Sequence, residues 1–131
     1  MAVLTAQERN HPIDAVVPCV SLEEVVKVKK AVTEIRISDE LKRYIVEVVS
    51  ATRVAAGVQL GASPRASIAL MKVAQALALF DGRAFVMPEH IQEIGSSAIA
   101  HRLVLDPQAR FSGLTARQIV EQILSKISVP A

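Results

Sequence analysis

Leu60-Gly61-Ala62-Ser63-Pro64-Arg65-Ala66-Ser67-Ile68-Ala69-Leu70 is the stretch on which the reading of this chain turns, because it joins a helix start to a candidate binding signature. Ser63 has an oxygen able to accept from the free amides of a first helical turn, and the ring of Pro64 presets the torsion needed at the first helical position. A helix is expected from Pro64, ending near Phe80 at the turn signal Asp81-Gly82. At 100° per residue, Ala66, Leu70, Val73, Leu77 and Phe80 form a core-facing seam, with Ser67, Met71, Ala74 and Ala78 as a second small face. Arg65, Lys72 and Gln75 remain as a narrow polar stripe, the pattern of a helix central to its bundle. Arg65 lies in the first turn, where the helix dipole disfavours a cation, so its guanidinium calls for an anion beyond the helix end, and phosphate is the obvious chemistry. The bland alternative is a solvated Arg65, or one paired with a neighbouring carboxylate.

The flanking sequence builds a bundle around this helix. Ser21 with Glu24 is a capping box, and Leu22, Val25 and Val26 continue a helical pattern to about residue 32. Alternation of apolar and polar residues then predicts extended chain over Ile35 to Ile37. Ser38 caps a second helix, with Asp39 and Glu40 in its first turn. Its apolar face is Leu41, Tyr44, Ile45, Val48, Val49 and Thr52, and Tyr44 at the edge of that face can pack its ring while its hydroxyl stays wet. Val54 to Ala62 loses periodicity and reads as a loop in which Gly61 permits close backbone approach. Phe85 to Met87 reads as extended, and Pro88 starts a fourth helix with Ile91, Ile94 and Ala98 inward. Gly95 on that side suggests close contact with a neighbouring helix, and His101 and Arg102 complement exposed carbonyls near the helix end. Residues 105–113 read as a loop. Thr115 with Gln118 is a second capping box, opening a helix along Ile119, Val120, Ile123, Leu124 and Ile127. The expected fold is all-α, a bundle of about five helices with at most short strand fragments.

Composition narrows the function classes. A chain of 131 residues supports one core, and with 51% apolar but only 3% aromatic residues that core is filled by Val, Ile, Leu and Ala. A formal charge of +2 with interspersed signs gives no basic stripe for tracking nucleic acid. Cys19 is alone, so there is no disulfide framework, and its neighbours Pro18 and Val20 give no reason to read it as a nucleophile. His11, His90 and His101 lack ligand spacing, so no metal site is expected. Early charges rule out a signal-peptide core, and no apolar run reaches the ~18 residues of a membrane span, so a soluble protein is expected, and the lone cysteine suits a reducing cytoplasm. No G-x-x-x-x-G-K-[ST] phosphate loop occurs, and no apolar strand ends in a pair of acids suited to magnesium.

Gly61-Ala-Ser-Pro-Arg-Ala66 resembles the sensor 2 motif of MoxR-type AAA+ ATPases, and Ser38-Asp-Glu-Leu, Tyr44-Ile-Val, Ala51-Thr-Arg53, Phe85-Val-Met-Pro88 and His101-Arg-Leu-Val104 resemble the lid domain of the same family. His11-Pro-Ile-Asp14 and Ser21-Leu-Glu-Glu24 resemble the segment joining ATPase core to lid. The resemblance implies a C-terminal lid cut from a longer ATPase, with residues 1–20 as connector and residues 21–131 as the lid. It implies Arg65 as the catalytic residue at the terminal phosphates of ATP, and Gly61, Ala62, Ser63, Pro64 and Arg65 as the nucleotide-binding loop. Tyr44 or Ile45 would lie against the adenine, and magnesium would be held by the missing core, so the fragment alone would not hydrolyse ATP. Its implied partners are the ATPase core, neighbouring subunits of a hexameric ring and von Willebrand A-domain proteins, with chaperone-like remodelling as the outcome. By the same resemblance, His101 and Arg102 are alternatively contacts to the nucleotide pocket or an adjoining subunit.

Two other classes compete. One is a helix-turn-helix DNA-binding module with the Asp81-Gly82 turn between helices and Arg83 or His90 near a phosphate backbone. The other is a generic helical protein-interaction domain. Near-neutral charge and an Ala-rich third helix with few polar groups to read a groove weigh against DNA.

Overall fold

The computed structural model describes residues 11–130. Among them are six α-helices and two short strands: α1 (Leu22–Glu34), α2 (Asp39–Ala51), β1 (Val58–Leu60), α3 (Pro64–Phe80), α4 (Pro88–Ile99), β2 (Val104–Leu105), α5 (Pro107–Phe111) and α6 (Ala116–Lys126). Short 3-10 turns occupy Pro12–Ala15 and Ala100–Arg102. Of the proposed connector, residues 1–10 lie outside the described residues. The all-α expectation holds, with one helix more than anticipated.

Helix starts follow the caps in the sequence. The Ser21 hydroxyl accepts from the Glu24 amide at 3.2 Å while the Glu24 carboxylate accepts from the Ser21 amide at 2.7 Å, and Thr115 and Gln118 repeat the exchange at 3.2 and 2.9 Å. The Ser38 hydroxyl accepts from the Leu41 amide at 3.2 Å. These bonds favour the ionised acids. The Ser21 amide and then its hydroxyl hold Glu24 below the ordinary glutamate value; Lys42, by hydrogen bond and then by charge, does the same to Asp39. Glu40 is lowered by its own backbone amide and then by Ser38. Depressed acids contribute stability that is present above the unfolded-chain value, about pH 4, and is lost as pH falls through the lower folded value. The thermal midpoint should therefore drop between pH 5 and pH 3, and a midpoint that rises on acidification would contradict these caps.

The sequence pattern is rotated on α3. Its buried residues are Ala66, Leu70, Ala74, Gln75 and Ala78, whereas Val73 is 39% and Phe80 77% exposed and Leu77 is only half-buried. Steps of four along Ala66, Leu70, Ala74 and Ala78 form a ridge of mostly small side chains, and this lets α3 approach α4, α2 and α1 closely. Gln75, expected on the polar stripe, is 5% exposed because its Nε2 donates to the Ile35 carbonyl at 2.6 Å, where the chain leaves α1. On α2 the expected face is buried in full: Leu41, Tyr44, Ile45, Val48 and Val49, with Thr52 at its end. Gly95 also meets its expected neighbour, since a Cβ there would stand 3.0 Å from Leu124 Cδ1 on α6.

Three segments differ from expectation. Residues 54–62 contain β1, which pairs antiparallel with β2, and residues 105–113 hold α5 rather than loop alone. Asp106 caps α5, its Oδ1 accepting from the Ala109 amide at 2.7 Å. Helix α4 stops at Ile99, and His101 and Arg102 lie in the 3-10 turn after it. The extended piece near Ile35 is present as a single parallel bridge from Arg36 to Phe85, with the Arg36 amide donating to Ala84 O at 3.1 Å and the Val86 amide to Arg36 O at 2.8 Å.

Helix α1 stands apart from this core. None of its residues is buried, and Leu22 is 79%, Val26 57% and Val28 47% exposed. Only Ala31 and Val32, in its last turns, are half-buried.

Candidate functional site

Arg65 occupies the second position of α3, exposed, beyond the buried ridge that begins at Ala66. The ion pairs among the described residues are Lys42 with Asp39 and His90 with Asp81, so Arg65 has no carboxylate partner there. The paired-carboxylate alternative for Arg65 is therefore not realised. Ser63 is the N-cap by backbone geometry, but its hydroxyl makes no capping bond, contrary to expectation; its carbonyl accepts from the Ala66 amide at 2.8 Å. Pro64 has no N–H to cap, which lowers the demand on Ser63. The head of α3 thus presents a hydroxyl and a guanidinium at the surface, with no ion pair to an acid among the described residues.

What fixes this head in place is the end of α2. The Thr52 hydroxyl, wholly buried, donates to the Val49 carbonyl at 2.6 Å and accepts from the Ala62 amide at 2.9 Å. Arg53 Nε donates to the Ala62 carbonyl at 3.0 Å. Ala62, 0% exposed, is therefore held through both of its backbone polar groups. Gly61 lies so close to Arg53 that a Cβ would fall 2.6 Å from Arg53 Cα and 2.7 Å from its N. Its φ is not positive, so space rather than torsion requires glycine here. The expected close approach is thus made to the protein's own backbone. Thr52 was legible only as a face residue, and neither it nor Arg53 carries a sequence signal of this grip.

Other candidates fall elsewhere. Tyr44 and Ile45 are each 2% exposed, so neither offers a face to adenine in this fold, and the Tyr44 hydroxyl, expected to be wet, is buried without a hydrogen-bond partner among the described residues. His90 is 4% exposed; its Nδ1 accepts from the Met87 amide at 2.9 Å and its Nε2 faces Asp81 Oδ2 at 3.1 Å. That role ties the turn after α3 to the start of α4 and leaves His90 unable to reach a phosphate backbone. His101 Nδ1 lies 3.1 Å from the Ser97 carbonyl and Arg102 Nε donates to the Ala98 carbonyl at 3.1 Å, the carbonyl-complementing role read from their position. Cys19 is exposed, and no cluster of His, Cys, Asp or Glu among the described residues could hold a metal ion. No helix of the described residues is long and apolar enough to cross a membrane.

The architecture is thus a small helical bundle whose central helix carries an exposed arginine at its second position. Residues 50–123 match the AAA lid domain family, and the chain belongs to that family. It is 44% identical over 128 residues to the uncharacterized protein YeaC of Bacillus subtilis, covering 98% of this chain and 40% of that one. It is 34% identical over 96 residues to the chaperone MoxR1 of Mycobacterium tuberculosis, covering 66% of this chain and 26% of that one. A crystal structure of a candidate ATPase from Cytophaga hutchinsonii superposes with a TM-score of 0.82 at 36% identity, over 86% of this chain and 37% of the other. The chain therefore spans 40% or less of the length of these relatives.

Proposed function

We propose that this chain is the C-terminal lid of a MoxR-type AAA+ ATPase and that Arg65 senses the terminal phosphate of bound ATP. The observation that carries the reading is Arg65 itself: an exposed guanidinium with no acid partner among the described residues, at the head of a helix whose ridge is buried in the core. The donor set fits the ligand. A guanidinium and the Ser63 hydroxyl offer positive charge and hydrogen-bond donors, which suit phosphate oxygens. Gly61, Ala62, Ser63 and Pro64 form the loop that carries Arg65 to the phosphate, and magnesium belongs to the ATPase core.

In this reading ATP draws Arg65, and with it α3 and the bundle, toward the core; loss of the phosphate releases them, and the rotation drives chaperone-like remodelling. Residues 1–20 are the connector to the core and residues 21–131 the lid. The core, neighbouring subunits of a hexameric ring and von Willebrand A-domain proteins are the partners, in the cytoplasm. MoxR1 bears the name of a chaperone, and the Cytophaga structure that of a candidate ATPase, which supports this class.

The test is ATP hydrolysis by the purified 131-residue chain beside the full ATPase that contains it. The chain alone should show no turnover above a buffer blank, for want of a phosphate cradle and magnesium-binding acids. Turnover that survives removal of contaminating ATPases would overturn the lid assignment.

A further inference from the structure

We propose that Arg53 is a positioning residue for Arg65. The proposal rests on the reading of Arg65 as a phosphate sensor and adds what aims it. Arg53 is exposed, yet its side chain runs back across the chain: its Cγ lies 2.8 Å from where a Gly61 Cβ would be, and its Nε–H then reaches the Ala62 carbonyl at 3.0 Å. The stem thus straddles Gly61 and closes on Ala62, while Thr52 grips the Ala62 amide from the buried side. Ala62 is three residues before Arg65, and only Ser63, whose hydroxyl makes no cap, and Pro64, whose ring is rigid, lie between. With both backbone groups of Ala62 held by the end of α2, the direction in which Arg65 leaves the bundle is set by α2 as well as by α3. Loss of the Arg53 bond leaves the Ala62 backbone with the Thr52 bond alone and loosens the loop that leads into the first turn of α3.

Arginine suits this task because Nε carries a donor partway along the side chain, where the stem crosses the loop, while the two terminal nitrogens remain outside. Lysine keeps the charge and most of the stem but has a methylene at that place. The charge and the bond can therefore be separated.

The experiment compares wild type, Arg53→Ala, Arg53→Lys, Arg65→Ala and the Arg53→Ala/Arg65→Ala pair in the full ATPase, with backbone NMR of residues 61–65 in the 131-residue chain. Misplacing a charge-stabilising group by about an ångström costs up to about 10²-fold in rate; for a tether only partly released, Arg53→Ala is expected to lower kcat about tenfold with KM for ATP within twofold. Arg53→Lys should resemble Arg53→Ala, and in the Arg65→Ala background Arg53→Ala should cost less than twofold more. Recovery by lysine, or losses that multiply in the double variant, would show that Arg53 acts by its own charge and overturn the proposal. The heteronuclear NOE of Gly61, Ala62, Ser63 and Arg65 should fall in both Arg53 variants; an unchanged value overturns the proposal whatever Arg65 does. If Arg65→Ala itself leaves turnover intact, the sensor reading fails separately. Should Arg53→Ala prove too unstable to purify, Arg53→Lys carries both measurements.

Discussion

Replacement of Arg65 by alanine is expected to lower ATP hydrolysis by the assembled ATPase about 10³-fold or more while changing the stability of the lid by about 0.5 kcal/mol or less. The two effects separate because of where the side chain stands. Arg65 is exposed, joins neither ion pair among the described residues, and precedes the first buried residue of α3, so its truncation removes little packing. At a transferring phosphoryl group, by contrast, a planar cation offsets charge as it develops, and arginines in that role are worth several orders of magnitude in rate. Arg65→Lys should recover only part of the loss, since an ammonium keeps the charge without the fork. Lys72, exposed about 10 Å further along the same helix, serves as the control and should tolerate alanine. The measurement is thermal unfolding of each mutant lid against turnover of each mutant ATPase. Arg65→Ala that unfolds the lid, or that leaves turnover within about twofold of wild type, would make Arg65 a structural residue.

Gly61→Ala should damage both fold and turnover. The added methyl would lie 2.6 Å from Arg53 Cα and 2.7 Å from Arg53 N, and backbone atoms at the end of a packed helix cannot rotate aside. Relief requires the loop to lift from α2, which stretches the Ala62 amide bond to Thr52 and the Arg53 bond to the Ala62 carbonyl. Overpacking of this kind costs about 1–3 kcal/mol, and a lost partner for the buried Ala62 amide adds a penalty of similar size. Because the displaced segment carries Arg65, turnover should fall about 10²-fold even in protein that remains folded. Thermal unfolding and single-turnover hydrolysis read the two parts separately. A Gly61→Ala protein with the wild-type midpoint and rate would mean that the close approach does not exist in solution.

Local signals carried much of the fold in the sequence. Ser21 with Glu24, Ser38, and Thr115 with Gln118 each start a helix as their side-chain chemistry requires, and Leu41, Tyr44, Ile45, Val48 and Val49 bury as one face. Contacts between distant segments were not legible. β1 and β2 have three and two residues, too few for an alternation to register, and they pair only because the bundle brings them together. Gln75 looks solvated by periodicity, but the Ile35 carbonyl needs a donor, and that need comes from a residue 40 positions away. The same limit applied to the site. Arg65 stood out through its motif, while Thr52 and Arg53 act through hydrogen bonds spanning ten and nine residues that no spacing rule encodes. Tyr44 illustrates the converse, since an edge position on a helical wheel said nothing about the neighbours that close over its hydroxyl.

Helix α1 is, in mechanical terms, a lever. Its 13 residues make a rod about 20 Å long, closed at its far end by the Ser21–Glu24 exchange and seated on the bundle only through its last turns, where Gln75 of α3 holds the Ile35 carbonyl. A tilt of about 10° at that seat carries the Ser21 end through about 3 Å, given a rise of 1.5 Å per residue. The fulcrum is a residue of α3, the helix whose second position is Arg65, so any tilt at that seat would be enlarged at the other end of the rod.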